Sequence, residues 1–567
     1  MSDNEKSRAL LEKYFDTAFA APEGIKKLRE LILTLAMQGK LVPQDPSDQP
    51  ASELLKEIEA EKRRLVKAGK IREQKLLPEI KPEERPYELP ECWAWVRFGS
   101  IAQHNSGKTL DKSRNKGQYR DYITTSNLYW GYFELDNVRQ MPIKDEEIEK
   151  CTARKGDLLI CEGGEAGRAA VWFYDNEVCF QNHVHRARFY CDIDPYYGYR
   201  FFEKLNATGE INNYRQGVGI SNMSGKVLAS IALPLPPLAE QQRIVARIDQ
   251  LMARCDELEK LRAEREAKRL TVHISALNRL FEAQGNYSFT DAWHFINRHF
   301  GELYSVKQNV TELRKAILQL GVMGKLVPQD PNDQPASELL KEIEAEKRRL
   351  VQEGKIKLQK PLPEIKSEEQ PYVLPEGWEW VRLGSFCEKV SDGFHHTPKK
   401  ISQGVRYVSA THIYNGRIDW NSGLYVSEEE YFELYKKTKQ GYGDILIVNR
   451  GAGCGDAAVV DTDGRFCFQN AAIIGFSQNH VDGQYILCFL HASRKHFLEK
   501  FIQGGAQPML SNKLLATHIL ALPPLAEQHR IVAKIDQLMA LCDQLEQQIV
   551  ATASKQSALL NVVMAKI

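Results

Sequence analysis

Two blocks of this chain occur twice almost unchanged, and that duplication constrains the fold more than any single motif. Residues 39–66, GKLVPQDPSDQPASELLKEIEAEKRRLV, return as residues 324–351 with Ser47 replaced by Asn332. Residues 236–259, PPLAEQQRIVARIDQLMARCDELE, return as residues 523–546, PPLAEQHRIVAKIDQLMALCDQLE. A chain of 567 residues could hold several domains, but two repeats of about 285 residues fit these blocks better. Between the blocks lie two stretches that are barely alike. A constant frame carrying divergent inserts is the pattern expected of a two-armed reader of two different targets.

Apolar residues at 43% and charged residues at 27% are ordinary for a soluble globular protein. The first residues carry no apolar run of the signal-peptide kind, and no later stretch approaches the roughly 18 apolar residues of a spanning helix. A cytoplasmic protein without membrane contact is expected. Eleven cysteines without a C-x-x-C, and without Cys and His at ligand spacing, point to reduced, packed thiols and to no metal site.

The frame reads as helical. After Pro236 and Pro237, apolar residues fall at Ile244, Ile248, Leu251, Cys255 and Leu258, in alternating steps of four and three. The second copy repeats this as Ile531, Ile535, Leu538, Cys542, Leu545 and Ile549. Either each seam packs on its neighbouring domain or the two helices pair antiparallel. The 3.5-residue period and the duplication favour pairing. Leu28, Leu31, Ile32 and Leu35, and in the second copy Leu313, Ile317 and Leu320, mark helices stopped by Gly39 and Gly324. Pro43, Pro46 and Pro50, like Pro328, Pro331 and Pro335, break the chain before a charged helix whose EIEAEKRR run is a solvated face. One such pair of helical blocks is joined in mid-chain and the other is split between the two ends. The expected architecture is therefore α+β, pseudo-twofold and quasi-circular, with two mostly-β arms separated by an antiparallel helical coiled-coil frame. A two-fold reader of this kind mirrors a DNA duplex with two half-sites.

Each arm opens on alternating Trp and Val, Trp93-Ala94-Trp95-Val96 or Trp378-Glu379-Trp380-Val381, which reads as a strand. Tyr122-Ile123-Thr124-Thr125, Asp157-Leu158-Leu159-Ile160 and Ala170-Val171-Trp172-Phe173 predict further strands. Arg406-Tyr407-Val408-Ser409, Asp444-Ile445-Leu446-Ile447 and Ala458-Val459-Val460 are their counterparts. The net charge of +1 hides local bias. Lys108, Lys112, Arg114, Lys116 and Arg120 stand against one local acid, Asp111. His395, His396, Lys399, Lys400 and Arg406 stand against none within residues 393–407. Such loops supply the charge that phosphate contact needs, beside side chains able to read base edges.

No motif assembles a catalytic set. Residues 102–109, AQHNSGKT, fit a relaxed phosphate-loop pattern but lack its first glycine, and the other arm has no GKT at the matching place. Asp194-Pro195-Tyr196-Tyr197 resembles an amino-methyltransferase signature without its second proline and reads as a turn. Gly451-Ala452-Gly453-Cys454-Gly455, with its twin Gly163-Gly164-Glu165-Ala166-Gly167, reads as a β-turn. His183 and His185 have no third ligand nearby. A recognition subunit that positions another protein's chemistry fits best. A coiled-coil scaffold without DNA contact would explain the frame but not two basic, diverged arms. A nucleotide-driven enzyme would hydrolyse NTP by itself.

The duplicated LPPLAEQ block, the two LPE-x-W openings, Ser106-Gly107-Lys108-Thr109, and GDLLI or GDILI at Gly156 and Gly443 closely resemble the specificity subunit of type I restriction-modification systems. The resemblance spans essentially the whole chain. It implies target recognition domains at 86–235 and 371–522, an N-terminal frame segment at 1–85, a central conserved helical region at 236–370 and a C-terminal conserved helix at 523–567. It implies double-stranded DNA as ligand and a split, asymmetric site. It also implies two docked modification subunits that bind S-adenosylmethionine and methylate adenine, and restriction subunits using ATP and magnesium. No cofactor, metal or catalytic residue is implied for this chain. Helices of about 40 residues would be about 60 Å long and would act as a ruler between half-sites. Inserting one heptad into both seams should lengthen the preferred gap between half-sites, as read by selection from a random duplex library; an unchanged gap would refute the ruler.

Overall fold

The computed structural model describes residues 19–73, 76–109, 111, 116–217, 221–282, 286–394, 396–451, 453–501 and 509–565. The chain divides into two compact units, Met1–Arg265 with Thr552–Ile567, and Glu266–Ala551. Both mix helix and sheet and both use the same parts.

In the first unit, helix α1 (Gly24–Met37) and helix α2 (Ala51–Lys67) precede the arm. Helix α2 follows from the repeat's own pattern: Pro50 precedes it, and Ala51, Leu54 and Ile58 bury one stripe while the charged residues between them face water. Within the arm lie helices α3 (Asp145–Cys151) and α4 (Pro195–Ala207). The long helix α5 (Leu238–Glu282) follows it. In the second unit, α6 (Lys307–Val322) and α7 (Ala336–Gln352) correspond to α1 and α2, α8 (Gly483–Phe501) to α4, and α9 (Leu525–Met564) to α5.

The two arms share one sheet topology despite their unlike sequences. In the first, strands Ala102–Ser106, Val184–Phe189, Leu158–Cys161 and Ala169–Val171 pair antiparallel in that order. In the second, Lys389–Asp392, Ala471–Gly475, Ile445–Val448 and Ala457–Val459 do the same. The opening strand Ala94–Arg97 pairs with Ala232–Leu235, and Glu379–Arg382 pairs with Ile519–Leu522, so each arm is closed where it leaves the frame. The GDLLI and GDILI runs are continuously apolar because both faces of their strands are covered. Leu158 and Ile160 face the core shared with the frame, while Leu159 and Cys161 face a second core inside the arm. Ile445 and Ile447, and Leu446 and Val448, divide the same way. The Asp that starts each run accepts from a cation: Arg188 Nη2 reaches Asp157 Oδ2 at 2.7 Å, and Lys389 Nζ reaches Asp444 Oδ2 at 2.7 Å.

Three parts of the repeat meet at one carboxylate. Glu240, fully buried in the first turn of α5, accepts from Trp93 Nε1 at 2.9 Å and from Gln44 Nε2 at 2.6 Å. The adjacent Gln241 side chain accepts from the Asp194 amide at 3.0 Å and donates to the Pro236 carbonyl at 2.9 Å. Arg243 pairs with Asp48 at 2.5 Å. Unit two repeats the joint: Glu527 takes Trp378 at 2.9 Å and Gln329 at 3.1 Å, Gln528 takes the Asp482 amide, and Arg530 pairs with Asp333. The conserved block, the Trp opening and the PPLAEQ-x-R motif are pieces of one hydrogen-bonded corner.

Helix α5 spans 45 residues and α9 spans 40. Among the seam residues, Ile244, Ile248 and Cys255 are buried in one core with Ile32, Leu33 and Ala36 of α1; Leu251 is partly buried there and Leu258 is 49% exposed. Ile531, Ile535 and Cys542 are buried in one core with Ala316, Ile317 and Val322 of α6, with Leu538, Leu545 and Ile549 partly buried against it. Within each unit the seam's first turns therefore pack with α1 or α6. The far end of α9 returns to the first unit, where Leu560 clusters with Phe19, Ala21 and Leu31. Described residues from near the start and the finish of the chain thus share a core.

Glu240→Ala should leave the buried Trp93 N–H and the Gln44 amide without an acceptor, costing about 1–3 kcal/mol for each orphaned group. Glu527→Ala should do the same in its own unit, and urea melts of the single and double variants check both. Burial holds the Glu240 and Glu527 carboxyls above the usual 4.5. A raised folded value means the folded state holds its proton longer, so their contribution is present below pH 4.5 and is lost as pH rises through the raised value. Glu240→Gln with Glu527→Gln should flatten that fall in stability.

Candidate nucleic-acid interface

The basic loop of the first arm starts where strand Ala102–Ser106 ends. Lys108 does not open a helix: its backbone bridges Gln181 in parallel, its carbonyl accepts from Tyr122 Oη at 2.6 Å, and its ammonium pairs with Glu147 of α3. Gly107 is demanded by this crossing, since a Cβ there would lie 2.0 Å from the Phe180 carbonyl oxygen. The second arm uses Gly393 identically, with Phe394 bridging Gln469. SGKT is thus a strand-to-loop crossing, and its lysine is not shared between the arms.

Helix α3 also sets Asp145 3.3 Å from Arg120, on strand Gln118–Ile123. Arg186, almost wholly buried, ties down the end of this helix by donating to the Glu149 carbonyl at 2.9 Å and the Thr152 carbonyl at 2.6 Å. Burial lowers its pKa to about 10, which still leaves it charged at neutral pH. Two of the first arm's predicted cations are therefore faced by acids from a distant segment. Lys116 is exposed, and Lys112 and Arg114 lie outside the described residues.

The second arm's cations are freer. Lys399 and Lys400 are exposed, and no ion pair holds them among the described residues. Arg406 is exposed on strand Val405–Ser409. His396 is exposed with Nε2 3.9 Å from Glu430; His395 lies outside the described residues. Local counting along the sequence saw Asp111 but missed Asp145 and Glu147, because their approach depends on how α3 docks. The acidic start of α3, Asp145-Glu146-Glu147, is the signal that marks it.

Other motifs resolve as structure. Asp194-Pro195 is not a turn but the start of α4: Asp194 caps it by accepting from the Tyr196 amide at 2.8 Å, with Pro195 at the first helical position. Gly163–Gly164 pairs as a short strand with Ser221–Asn222. His185 is buried with Nε2 3.2 Å from the Met223 carbonyl, and His183 is exposed. Among the described residues no group of three or more His, Cys, Asp or Glu is placed to hold a metal.

These two like-built arms, each with a divergent charged edge, carry a recognisable domain. The profile of the type I restriction modification DNA specificity domain matches residues 90–269 and again 375–554. The chain belongs to the type I restriction-modification DNA specificity family. It is 36% identical over 537 residues to the type I restriction enzyme EcoAI specificity subunit of Escherichia coli, covering 92% of this chain and 90% of that one. It is 33% identical over 567 residues to the EcoEI specificity subunit of Escherichia coli, with the same coverage. A crystal structure of the HsdS subunit from Thermoanaerobacter tengcongensis aligns at 18% identity and TM-score 0.42, covering 85% of this chain and 98% of that one.

Lys399→Ala with Lys400→Ala should reduce the slope of log affinity against log salt on duplex DNA by about 1 to 2, because each phosphate contact contributes about 0.9. Lys108→Met, which removes a cation already faced by Glu147, should change that slope little. Filter binding over a salt series reads both.

Proposed function

We propose that this chain is the DNA-recognition subunit of a type I restriction-modification complex. It is not itself an enzyme. It binds a bipartite, asymmetric site in double-stranded DNA, with the target recognition domains 86–235 and 371–522 each taking one half. The observation that carries this reading is the pairing of one shared arm topology with unlike, charged loop edges, mounted on a nearly identical frame. A subunit built so selects two different half-sites while presenting partners with two equivalent surfaces.

The frame segments 1–85, 236–370 and 523–567 then hold two modification subunits, which supply S-adenosylmethionine and adenine methylation, and restriction subunits, which supply ATP- and magnesium-dependent activity. The complex works in the cytoplasm; no helix among the described residues is long and apolar enough to cross a membrane.

The test is to co-purify this chain with its modification subunit, expose DNA to the complex and map methylated adenines. Methylation should appear at one two-part asymmetric sequence with a fixed gap and vanish when this chain is omitted. Methylation that persists without it, or never appears with an intact complex, would defeat the proposal.

A further inference from the structure

Each arm carries a tight β-hairpin on the same mount. In the first arm Leu128 bridges Phe133, and the Tyr129 amide donates to the Tyr132 carbonyl at 2.9 Å, leaving Tyr129-Trp130-Gly131-Tyr132 at the tip. In the second, Ile413–Tyr414 pairs with Arg417–Ile418 around Tyr414-Asn415-Gly416-Arg417. The mounts match atom for atom in role. Asn127 Oδ1 accepts from the Thr124 amide at 2.9 Å, and His412 Nδ1 accepts from the Ser409 amide at 3.0 Å. Leu128 and Phe133, like Ile413 and Ile418, are buried in the arm's own core. The glycine stands at φ +80 or +75, and it lies against strand Ala169–Val171 or Ala457–Val459.

The tips differ in the chemistry they present. In the first arm the Tyr129 and Tyr132 rings stack at 5.1 Å and 9°, and Arg168 lies 5.1 Å from the Tyr129 centroid. Trp130 is anchored by Nε1 to Glu165 Oε1 at 2.7 Å, and Tyr132 is 55% exposed. In the second, Tyr414 is 50% exposed, Asn415 and Arg417 are exposed, and no ion pair holds Arg417 among the described residues. Asn415 sits at φ +51, a conformation that the Asn-Gly pair of such turns accepts.

Placement joins these tips to the charged loops. The first hairpin is reached from the end of strand Gln118–Ile123, where the Ile123 carbonyl accepts from the amide of Gln181, the residue that Lys108 bridges. The second is reached from the end of strand Val405–Ser409, where Ser409 is in register with Gln469, the residue that Phe394 bridges. In both arms the hairpin therefore emerges where the charged loop begins, beside Lys108 in the first arm and Phe394 in the second. Phosphate contacts fix register and base-edge contacts specify, so adjacent elements of these two kinds make a complete reader.

We propose that the hairpins at 129–132 and 414–417 are the base-reading elements of the two arms. Asn415 and Arg417 read purine edges, Asn being suited to adenine and Arg to guanine in the major groove. The stacked tyrosines of the first arm read by apolar and stacking contact. This rests on the DNA-recognition reading above and names the residues that set the sequence.

The experiment is site selection from a random duplex library by the full chain in complex with its modification subunit. Asn415→Ala and Arg417→Ala should each lower preference at one or two base pairs of a single half-site by about 10- to 100-fold, leaving the other half and the gap unchanged. Trp130→Asn with Tyr132→Arg, which gives the first tip the second tip's side chains, should change the other half alone. Asn415→Asp keeps a residue that accepts the left-handed turn while removing the amide donor, so its result stands if the alanine variant misfolds. Unchanged sites in these variants, or an equal loss of affinity for every duplex at unchanged preference, would overturn the assignment while the subunit's role stood. A wild-type complex selecting no two-part site would defeat the parent reading and this one with it.

Discussion

A buried carboxylate is costly unless donors surround it, and the frame of this protein is organised around two of them. Glu240 and Glu527 each sit at the start of a long helix and each take a tryptophan N–H and a glutamine amide. The tryptophans lie across the arm from the glutamates, 147 residues before Glu240 and 149 before Glu527, and the glutamines lie 196 and 198 residues before them. The joint therefore holds the entry and exit of each arm in one place. Arg97 adds to it by pairing with Glu84 while donating to the Ser230 carbonyl, and Arg382 does likewise with Glu369 and the Thr517 carbonyl. Substituting one partner orphans the rest, so the residues of this joint are coupled.

The inserts can drift because each arm's central sheet faces two cores. Its frame-side residues, Leu158, Ile160 and Ala187 in the first arm, are packed with the repeated frame helices. Its other face is packed with residues of the arm itself, such as Trp172 and Phe180. Changes on the outer side alter loops and hairpin tips without reaching Glu240 or α1. The two faces of one sheet thus belong to different cores, one joined to the frame and one internal to the arm.

Much of this was legible in the residues. The duplications gave the two units, the Trp-x-Trp openings gave the closing strands, and Gly-Asp followed by an apolar run gave the sandwiched strand. The seam positions Ile244, Ile248 and Cys255 were visible from their spacing, but that spacing does not say which helix covers them; α1 does in the first unit. Asp194-Pro195 carries both turn and helix-start signals, and packing of the Tyr197 hydroxyl on the Pro234 carbonyl at 2.7 Å goes with the helix. The charged edge was legible only in part. A run of cations is local in sequence, whereas its neutralisation by Asp145 and Glu147 is a property of how α3 docks. The hairpin tips escaped because Tyr-Trp-Gly-Tyr and Tyr-Asn-Gly-Arg share only a tyrosine and a glycine, and their equivalence appears only once the mounts are superposed through Asn127 and His412.

That equivalence alters the meaning of the near-neutral charge. A subunit that relied on net charge to hold DNA would show a large excess of lysine and arginine, yet here 76 basic residues meet 75 acidic ones. The acids are not spread evenly. In the first arm they face Lys108 and Arg120, while in the second Lys399, Lys400 and Arg417 are left open among the described residues. Phosphate attraction grips all sequences alike, so tempering it lowers non-specific binding more than it lowers discrimination. Acids face Lys108 and Arg120 in the first arm, whose tip offers instead a large rigid surface in the stacked Tyr129 and Tyr132. The second arm has freer charge and an Asn-Gly-Arg tip, so it presents exposed lysines and two exposed polar side chains. Two arms of one topology thus present unlike edges, one with acids facing Lys108 and Arg120 and one with exposed lysines.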